Sequence, residues 1–105
     1  MARQQLQTLS EPMYYILLSL SEPRHGYAIM TFIREMTQGR VQVGAGTLYA
    51  LLSRFETEKL INFVKSEDNK KIYQLSEEGK EILQRELRRI QLMVGDGRKV
   101  WGGNK

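Results

Sequence analysis

Between residues 45 and 94 the hydrophobic spacing of this chain changes twice, and that change restricts its fold more than any other feature of the sequence. From Ala45 the spacing is helical, with Leu48, Leu51, Leu52 and Phe55 on one face and Tyr49, Ala50, Ser53 and Arg54 on or beside the other. It then shortens to a period of two. Ile61, Phe63 and Lys65 alternate with Asn62, Val64 and Ser66, and Lys71, Tyr73 and Leu75 alternate with Ile72 and Gln74. Between these runs lies Glu67-Asp68-Asn69-Lys70, a polar hairpin turn with charge at its tip. After Ser76 the period is helical again, acidic at Glu78 in the first turn and basic at Arg85, Arg88 and Arg89 later, as the helix dipole favours. These three arginines read as a solvated face.

Two further helices precede this unit. Ser10 caps the first, Pro12 sits in its first turn, and Met13, Ile16, Leu17 and Leu20 recur at helical spacing, which predicts a helix over roughly 11–21. Pro23 ends it. A second pattern at Ile29, Phe32, Ile33 and Met36 runs to a stop signal at Gln38-Gly39. Val41 and Val43 alternate around Gln42 in a run too short for a helix, which predicts one small strand there. The expected order is helix, helix, strand, helix, strand, strand, helix.

That order is mainly α with a small β wing: a winged helix-turn-helix, in which the third helix enters a DNA major groove, plus an additional C-terminal helix. Residues 1–75 are expected to form the DNA-binding domain, with an N-terminal arm or helix over 1–9, and residues 76–105 a dimerisation helix and tail. The last segment places Leu83, Leu87, Ile90, Val94, Gly97 and Trp101 at spacings of 4, 3, 4, 3 and 4, a heptad seam. Ile82 and Met93 widen it, so the face reads as shared between the chain's own core and a partner helix. A homodimer through Leu83, Leu87, Ile90 and Val94, together with residues before Ser10, is expected.

Composition narrows the function classes. With 105 residues and no cysteine, the chain holds one small core and no disulfide, thiolate metal site or cysteine nucleophile, which suits a reducing cytoplasm. The single His25 has no second imidazole or carboxylate cluster at ligand spacing, and G-x-S-x-G, Walker A and G-x-G-x-x-G are all missing. Neither an enzyme nor a metal or other cofactor is expected. The longest apolar run, Tyr14 to Leu18, is far short of the roughly 20 residues of a membrane span, and the polar Ala2-Arg3-Gln4-Gln5 opening is unlike a secretory signal. Sixteen Lys+Arg against 12 Asp+Glu leave a net charge of +4, which favours a polyanionic partner.

The motifs Pro23-Arg24-His25-Gly26-Tyr27, Gly46-Thr47-Leu48-Tyr49 followed by Leu52-x-x-Phe55-Glu56 and Leu60-Ile61, and Lys70-Lys71-Ile72-Tyr73-x-Leu75-Ser76-x-x-Gly79 closely resemble the PadR family of bacterial transcriptional regulators, over roughly residues 11–95. The single C-terminal helix is similar to its shorter, homodimeric subfamily. The resemblance implies a winged-helix repressor, commonly of transporter, detoxification or stress genes and often relieved by a small-molecule effector, cytoplasmic and associated with the nucleoid when bound to a pseudo-palindromic operator in double-stranded DNA. The chain departs from the family at Gly44, Ala50 and Lys59, where Ser or Asn, Pro and Gly are usual. A left-handed Lys59 would cost about 1 kcal/mol. Lys70-Lys71 stand where two arginines are common, keeping charge and losing bidentate geometry.

The candidate DNA-binding residues are Tyr27, Ala45, Gly46, Thr47, Tyr49, Ala50, Ser53, Arg54, Lys65, Lys70 and Lys71. The start of the third helix offers free amides to a phosphate around Ala45 and Gly46. Thr47, Ala50 and Ser53 suit a thymine methyl or a single base edge, and Arg54 alone could grip guanine with two bonds. Tyr27 opens the second helix, where the resemblance implies a phosphate contact; a core tyrosine is the competing reading. Lys65, Lys70 and Lys71 bracket the wing, and His25 reads as a helix-start cap. Relatives that bind flat aromatic effectors use an aromatic residue midway along the last helix, and Arg89-Ile90-Gln91 here has none. Trp101 lies beyond Gly95 and Gly97 and reads as an effector contact, a hydrophobic anchor that docks back, or part of a loose tail. Two functions stand beside a DNA-binding repressor: a winged helix used for protein contacts, and a small-molecule binder without specific DNA binding.

Overall fold

The computed structural model describes residues 8–102. Its elements are α1 (Glu11–Ser19), β1 (Arg24–His25), α2 (Gly26–Met36), α3 (Ala45–Thr57), β2 (Ile61–Glu67), β3 (Lys70–Leu75) and α4 (Glu77–Trp101). The expected N-terminal arm falls almost wholly on residues 1–7, outside the described residues. Of the 8–102 span, no helix is long and apolar enough to cross a membrane.

Local chemistry sets most boundaries. Ser10 and Met13 form a reciprocal cap on α1, each side chain accepting the other's backbone N–H at 3.4 Å. His25 caps α2, its Nδ1 accepting from Ala28 N–H at 3.2 Å, so the ring carries its proton on Nε2 when neutral. The helix α2 closes with Gln38 at φ 53°, its N–H bonded to Glu35 O and that of Gly39 to Arg34 O. The same double closure ends α3, where Lys59 N–H reaches Glu56 O and Leu60 N–H reaches Phe55 O. Lys59 has φ 65°, the strained left-handed conformation foreseen for that position. Asp68 and Asn69, at φ 52° and 63°, make a two-residue turn whose twist matches the strands it joins.

The small strand is not where the spacing predicts it. The sheet is antiparallel in the order β1-β3-β2, with Arg24 opposite Tyr73 and His25 opposite Ile72, so β3 finds its second partner before α2 rather than at 41–43. Val41 and Val43 are buried in loop conformation. Thr37 makes that possible, because its hydroxyl donates to Ile33 O at 2.8 Å and accepts Val41 N–H at 3.0 Å, satisfying a backbone donor that a ladder would otherwise have to satisfy. A bulge at Val64 also breaks the expected alternation of β2: Phe63 faces Tyr73, yet Lys65 faces Ile72.

The core is formed where α1, α2 and α3 meet the base of the wing, with Ile16, Leu17, Ile29, Leu48 and Phe55 fully enclosed. The wing is tied down at its base. Leu75 N–H bonds to Leu20 O at 2.9 Å. Ser76 accepts Gly79 N–H at 3.0 Å as the cap of α4 and donates to Lys59 O at 2.7 Å, so one hydroxyl joins α4 to the end of α3.

Within α4 the residues divide sharply. Ile82 and Leu83 pack on the chain's own core, whereas every residue from Gln91 to Trp101 is exposed. The helix runs unbroken through Gly95 and Gly97 and ends at Gly102 with φ 60°, so Trp101 neither docks back nor lies in a loose tail; it occupies the last helical turn. Arg89 is a correction to the solvated face expected of the three arginines. It is half-buried and makes two bonds to Glu86, at 2.6 and 2.9 Å. Glu86 is only 4% exposed and also accepts Leu9 N–H at 3.0 Å, which ties the segment before α1 to α4.

Those bonds, led by the one from Arg89, hold the Glu86 carboxyl below the usual carboxylate range against the opposing effect of burial. A carboxyl depressed in the folded state contributes stability that is complete above its unfolded pKa and is lost as pH falls through the folded value. Glu86→Gln is therefore expected to be about 1.5–3 kcal/mol less stable than the wild type at pH 7. In urea titrations the difference narrows steadily as pH falls below the ordinary carboxylate range. A gap independent of pH would show that the charge on Glu86 adds nothing.

Candidate nucleic-acid interface

Three elements converge on one cleft of about 360 Å³. The start of α2 contributes His25, Gly26 and Tyr27, α3 contributes Tyr49, and the wing contributes Asn69, Lys70, Lys71 and Tyr73. Tyr27 is 64% exposed, which removes the core-tyrosine reading, and Tyr49 is 54% exposed. The cleft thus gathers the phenols of Tyr27, Tyr49 and Tyr73 and the ammonium groups of Lys70 and Lys71 from parts of the chain more than 40 residues apart. Such donors in a concave, basic setting suit the oxygens of a phosphodiester.

Gly26 makes the position of Tyr49 possible. A Cβ on Gly26 would stand 2.8 Å from Tyr49 Cζ and closer still to its hydroxyl, so the ring can lie across the α2 start only because that side chain is missing. Tyr73 ties the wing to α3 from the other side of the cleft, donating its hydroxyl to Glu56 Oε1 at 3.4 Å. Burial first, and then the Glu56 carboxylate, raise the Tyr73 phenol above its ordinary pKa, so it stays a protonated donor at neutral pH.

On α3, Ala45, Gly46, Thr47, Ala50, Ser53 and Arg54 are all exposed. Gly44 caps the helix without a side-chain hydrogen bond, which leaves the first-turn amides uncovered by any side chain. The exposed face is not a single surface. At 100° per residue, Gly46, Ala50, Ser53 and Thr57 form the outward line, Tyr49 and Glu56 the flank toward the wing, and Arg54 the opposite flank. Arg54 therefore stands apart from the Tyr49 cleft, its Nε bonded to Glu58 at 3.0 Å. Lys65 also stands outside the cleft, paired with Glu67 at 3.4 Å.

The model of the transcriptional regulator PadR-like family matches residues 16–85, two thirds of the chain and all of the elements that build this cleft. The chain belongs to the PadR-like family. Among solved structures, a PadR-like transcriptional regulator from Bacillus cereus is 25% identical, with a TM-score of 0.70 over 84% of this chain and 88% of that one. Bacillus subtilis PadR, solved in complex with operator DNA, is 26% identical, with a TM-score of 0.64 over 70% of this chain and 45% of that one. A 37.1 kDa protein in a transposon of Streptomyces fradiae is 31% identical over 81 residues, 76% of this chain. The chain spans 23% of that relative's length. With these likenesses, the PadR-type motifs acquire structural reasons: the glycine before Tyr27 seats Tyr49, and the glycine at 79 lets α4 approach the end of α3.

Sequence reasoning missed Gly26, Asn69 and Tyr73 as cleft residues and Glu56 and Glu58 as partners on or beside α3. Asn69 was visible only as a turn residue. Glu56 was visible only within the family motif and Glu58 only as an acid four residues after Arg54; neither position by itself names the partner. Trp101 is 85% exposed at the far end of α4.

Proposed function

We propose that this PadR-like chain is a dimeric, DNA-binding transcriptional repressor in which each protomer clamps the DNA backbone between the α2 start and the wing and presents α3 to the major groove. The convergence of Tyr27, Tyr49, Lys70 and Lys71 in one cleft carries this reading. The likeness to Bacillus subtilis PadR, whose structure is with operator DNA, supports it. The unpartnered part of α4 supplies the dimer contact, with Leu87, Ile90 and Val94 toward the second copy while Leu83 also packs on its own core. Two recognition helices related by a two-fold axis would then meet pseudo-palindromic half-sites about 34 Å apart. The DNA partner implies a place with the nucleoid in the cytoplasm. Genes of transport, detoxification or stress are the target class, and a small molecule acting near α4, where Trp101 stands, is the candidate relief signal.

Replacing both wing lysines tests the clamp. Lys70→Ala with Lys71→Ala is expected to weaken binding to all duplexes alike and to flatten the dependence of log K on log salt by about 0.9 for each phosphate left unneutralised, or about 3–4 per dimer. Fluorescence anisotropy on random and selected duplexes at several salt concentrations reads both quantities. An unchanged slope would mean that the lysines do not touch the backbone; a wild type that ignores duplex DNA at low salt overturns the function itself.

A further inference from the structure

The outward line of α3 carries almost no base-reading chemistry. Gly46 and Ala50 have no polar side-chain atom, and Ser53 and Thr57 offer single hydroxyls. Arg54 is the sole cation of the helix. Its Nε donates to Glu58 Oε2 at 3.0 Å, and its two terminal nitrogens have no hydrogen-bond partner among the described residues. Those terminal nitrogens form the end-on fork that matches O6 and N7 of guanine.

Glu58 is placed to hold that fork rather than merely to neutralise it. It is the C-cap of α3, its own N–H bonded to Arg54 O at 2.9 Å, so its backbone is anchored to the residue whose side chain it meets. Its side chain is 19% exposed against 47% for Arg54, which makes the carboxylate the more confined partner. Glu58 lies one turn C-terminal to Arg54, and helical side chains lean toward the helix N-terminus, so its carboxylate reaches back to Nε and leaves the terminal nitrogens unengaged. A flexible arginine bound at Nε loses fewer rotamers on meeting a base.

We propose that Glu58 is a positioning residue for sequence reading: it presents the Arg54 fork to a guanine in each half-site. This rests on the reading of α3 as the recognition helix. An exposed ion pair four residues apart that served only as a helix contact would leave the preference at the guanine unchanged, and that readout separates the two roles. Removing a carboxylate near DNA favours non-specific binding, whereas losing a positioned arginine reduces discrimination.

The experiment selects an operator from random duplexes with the intact chain and measures affinity for it, for each single-base variant and for random DNA. The proteins are wild type, Arg54→Ala, Glu58→Ala, Glu58→Gln and the Arg54→Ala, Glu58→Ala double variant, with thermal melts confirming that all are folded. Arg54→Ala is expected to lose about tenfold or more of the preference at one guanine per half-site. Glu58→Ala should lose about threefold or more at that same guanine, bind random DNA as tightly as the wild type or tighter, and add nothing in the Arg54→Ala background. Glu58→Gln, whose amide oxygen still accepts from Nε, should keep most of the preference. Undiminished preference in Glu58→Ala beside a flattened Arg54→Ala overturns the positioning role and leaves the recognition helix standing. Undiminished preference in Arg54→Ala overturns the role as well, because there is then no base contact to position. Failure of the wild type to select any operator removes the reading on which both depend.

Discussion

Gly79→Ala is expected to destabilise the chain by at least about 3 kcal/mol, lowering its melting temperature by roughly 12 °C or more for a domain of this size. A Cβ at this position would overlap the backbone carbonyl oxygen of Leu60, and it would stand 2.9 Å from Leu75 Cδ2 and 3.1 Å from Leu60 C. A crowded side chain can rotate away; a carbonyl cannot. This one is further held because Leu60 O accepts Ser76 N–H at 3.0 Å, and Ser76 in turn bonds Lys59 O and caps α4. Relieving the clash means lifting α4 from the end of α3, which would release Ile82 and Leu83 from the core. Gly95→Ala is the matched control: nothing lies within 4 Å of its Cβ, and the same change there should be neutral or stabilising by about 0.5–1 kcal/mol through helix propensity. Equal melting temperatures for Gly79→Ala and wild type would show that the close approach is absent.

The second large effect concerns assembly. At micromolar concentration the wild type is expected to sediment as a dimer and Leu87→Glu as a monomer, with the dimer dissociation constant raised about 100-fold or more, equivalent to about 2.7 kcal/mol. The 25 residues of α4 extend about 37 Å, and the part beyond Ile90 is exposed along its whole length. A free helical segment of that length is marginal in water, and Gly95 and Gly97 each cost about 1 kcal/mol relative to alanine. Yet it carries Leu92 at 61%, Met93 at 51%, Val94 at 46% and Trp101 at 85% exposure, an apolar surface that a monomer would leave in water. In the Leu87→Glu variant a two-fold axis would bring the two new carboxylates face to face, so each dimer would bury two like charges in an apolar seam. A wild type that sediments as a monomer removes the dimer from the proposal. Retained dimerisation by Leu87→Glu would move the contact elsewhere on the chain.

The helices were legible in the sequence because their signals are local. Ser10, His25 and Ser76 are short polar or imidazole acceptors placed where the first orphan amides of a helix need one, and they cap α1, α2 and α4. Asp68-Asn69 tolerates the positive φ of a tight hairpin turn, so the wing was visible for the same reason. The heptad spacing of α4 was readable because it is a property of a single segment, whereas the strain at Lys59 was visible only through the glycine usual at that position in the resembling family.

What the tertiary structure decided is which groups meet, some of them distant in sequence and some only a turn away. Two-residue β1 has no periodicity of its own and exists because β3 presents a second open edge to Arg24 and His25. Val41 and Val43 look like a strand in isolation, yet Thr37 satisfies the Val41 N–H and leaves them as buried loop. Glu86 is an ordinary charged residue by sequence and becomes a buried acceptor only when Leu9 and Arg89 meet it. Tyr49 and Arg54 belong to one exposed face by composition, but the packing of α3 on α2 sends Tyr49 to Gly26, while Arg54 on the opposite flank meets Glu58 four residues further along its own helix. Periodicity determines which side of an element is apolar, because burial repeats with the backbone; it carries no information about which polar group will stand opposite, since that is set by how the elements dock.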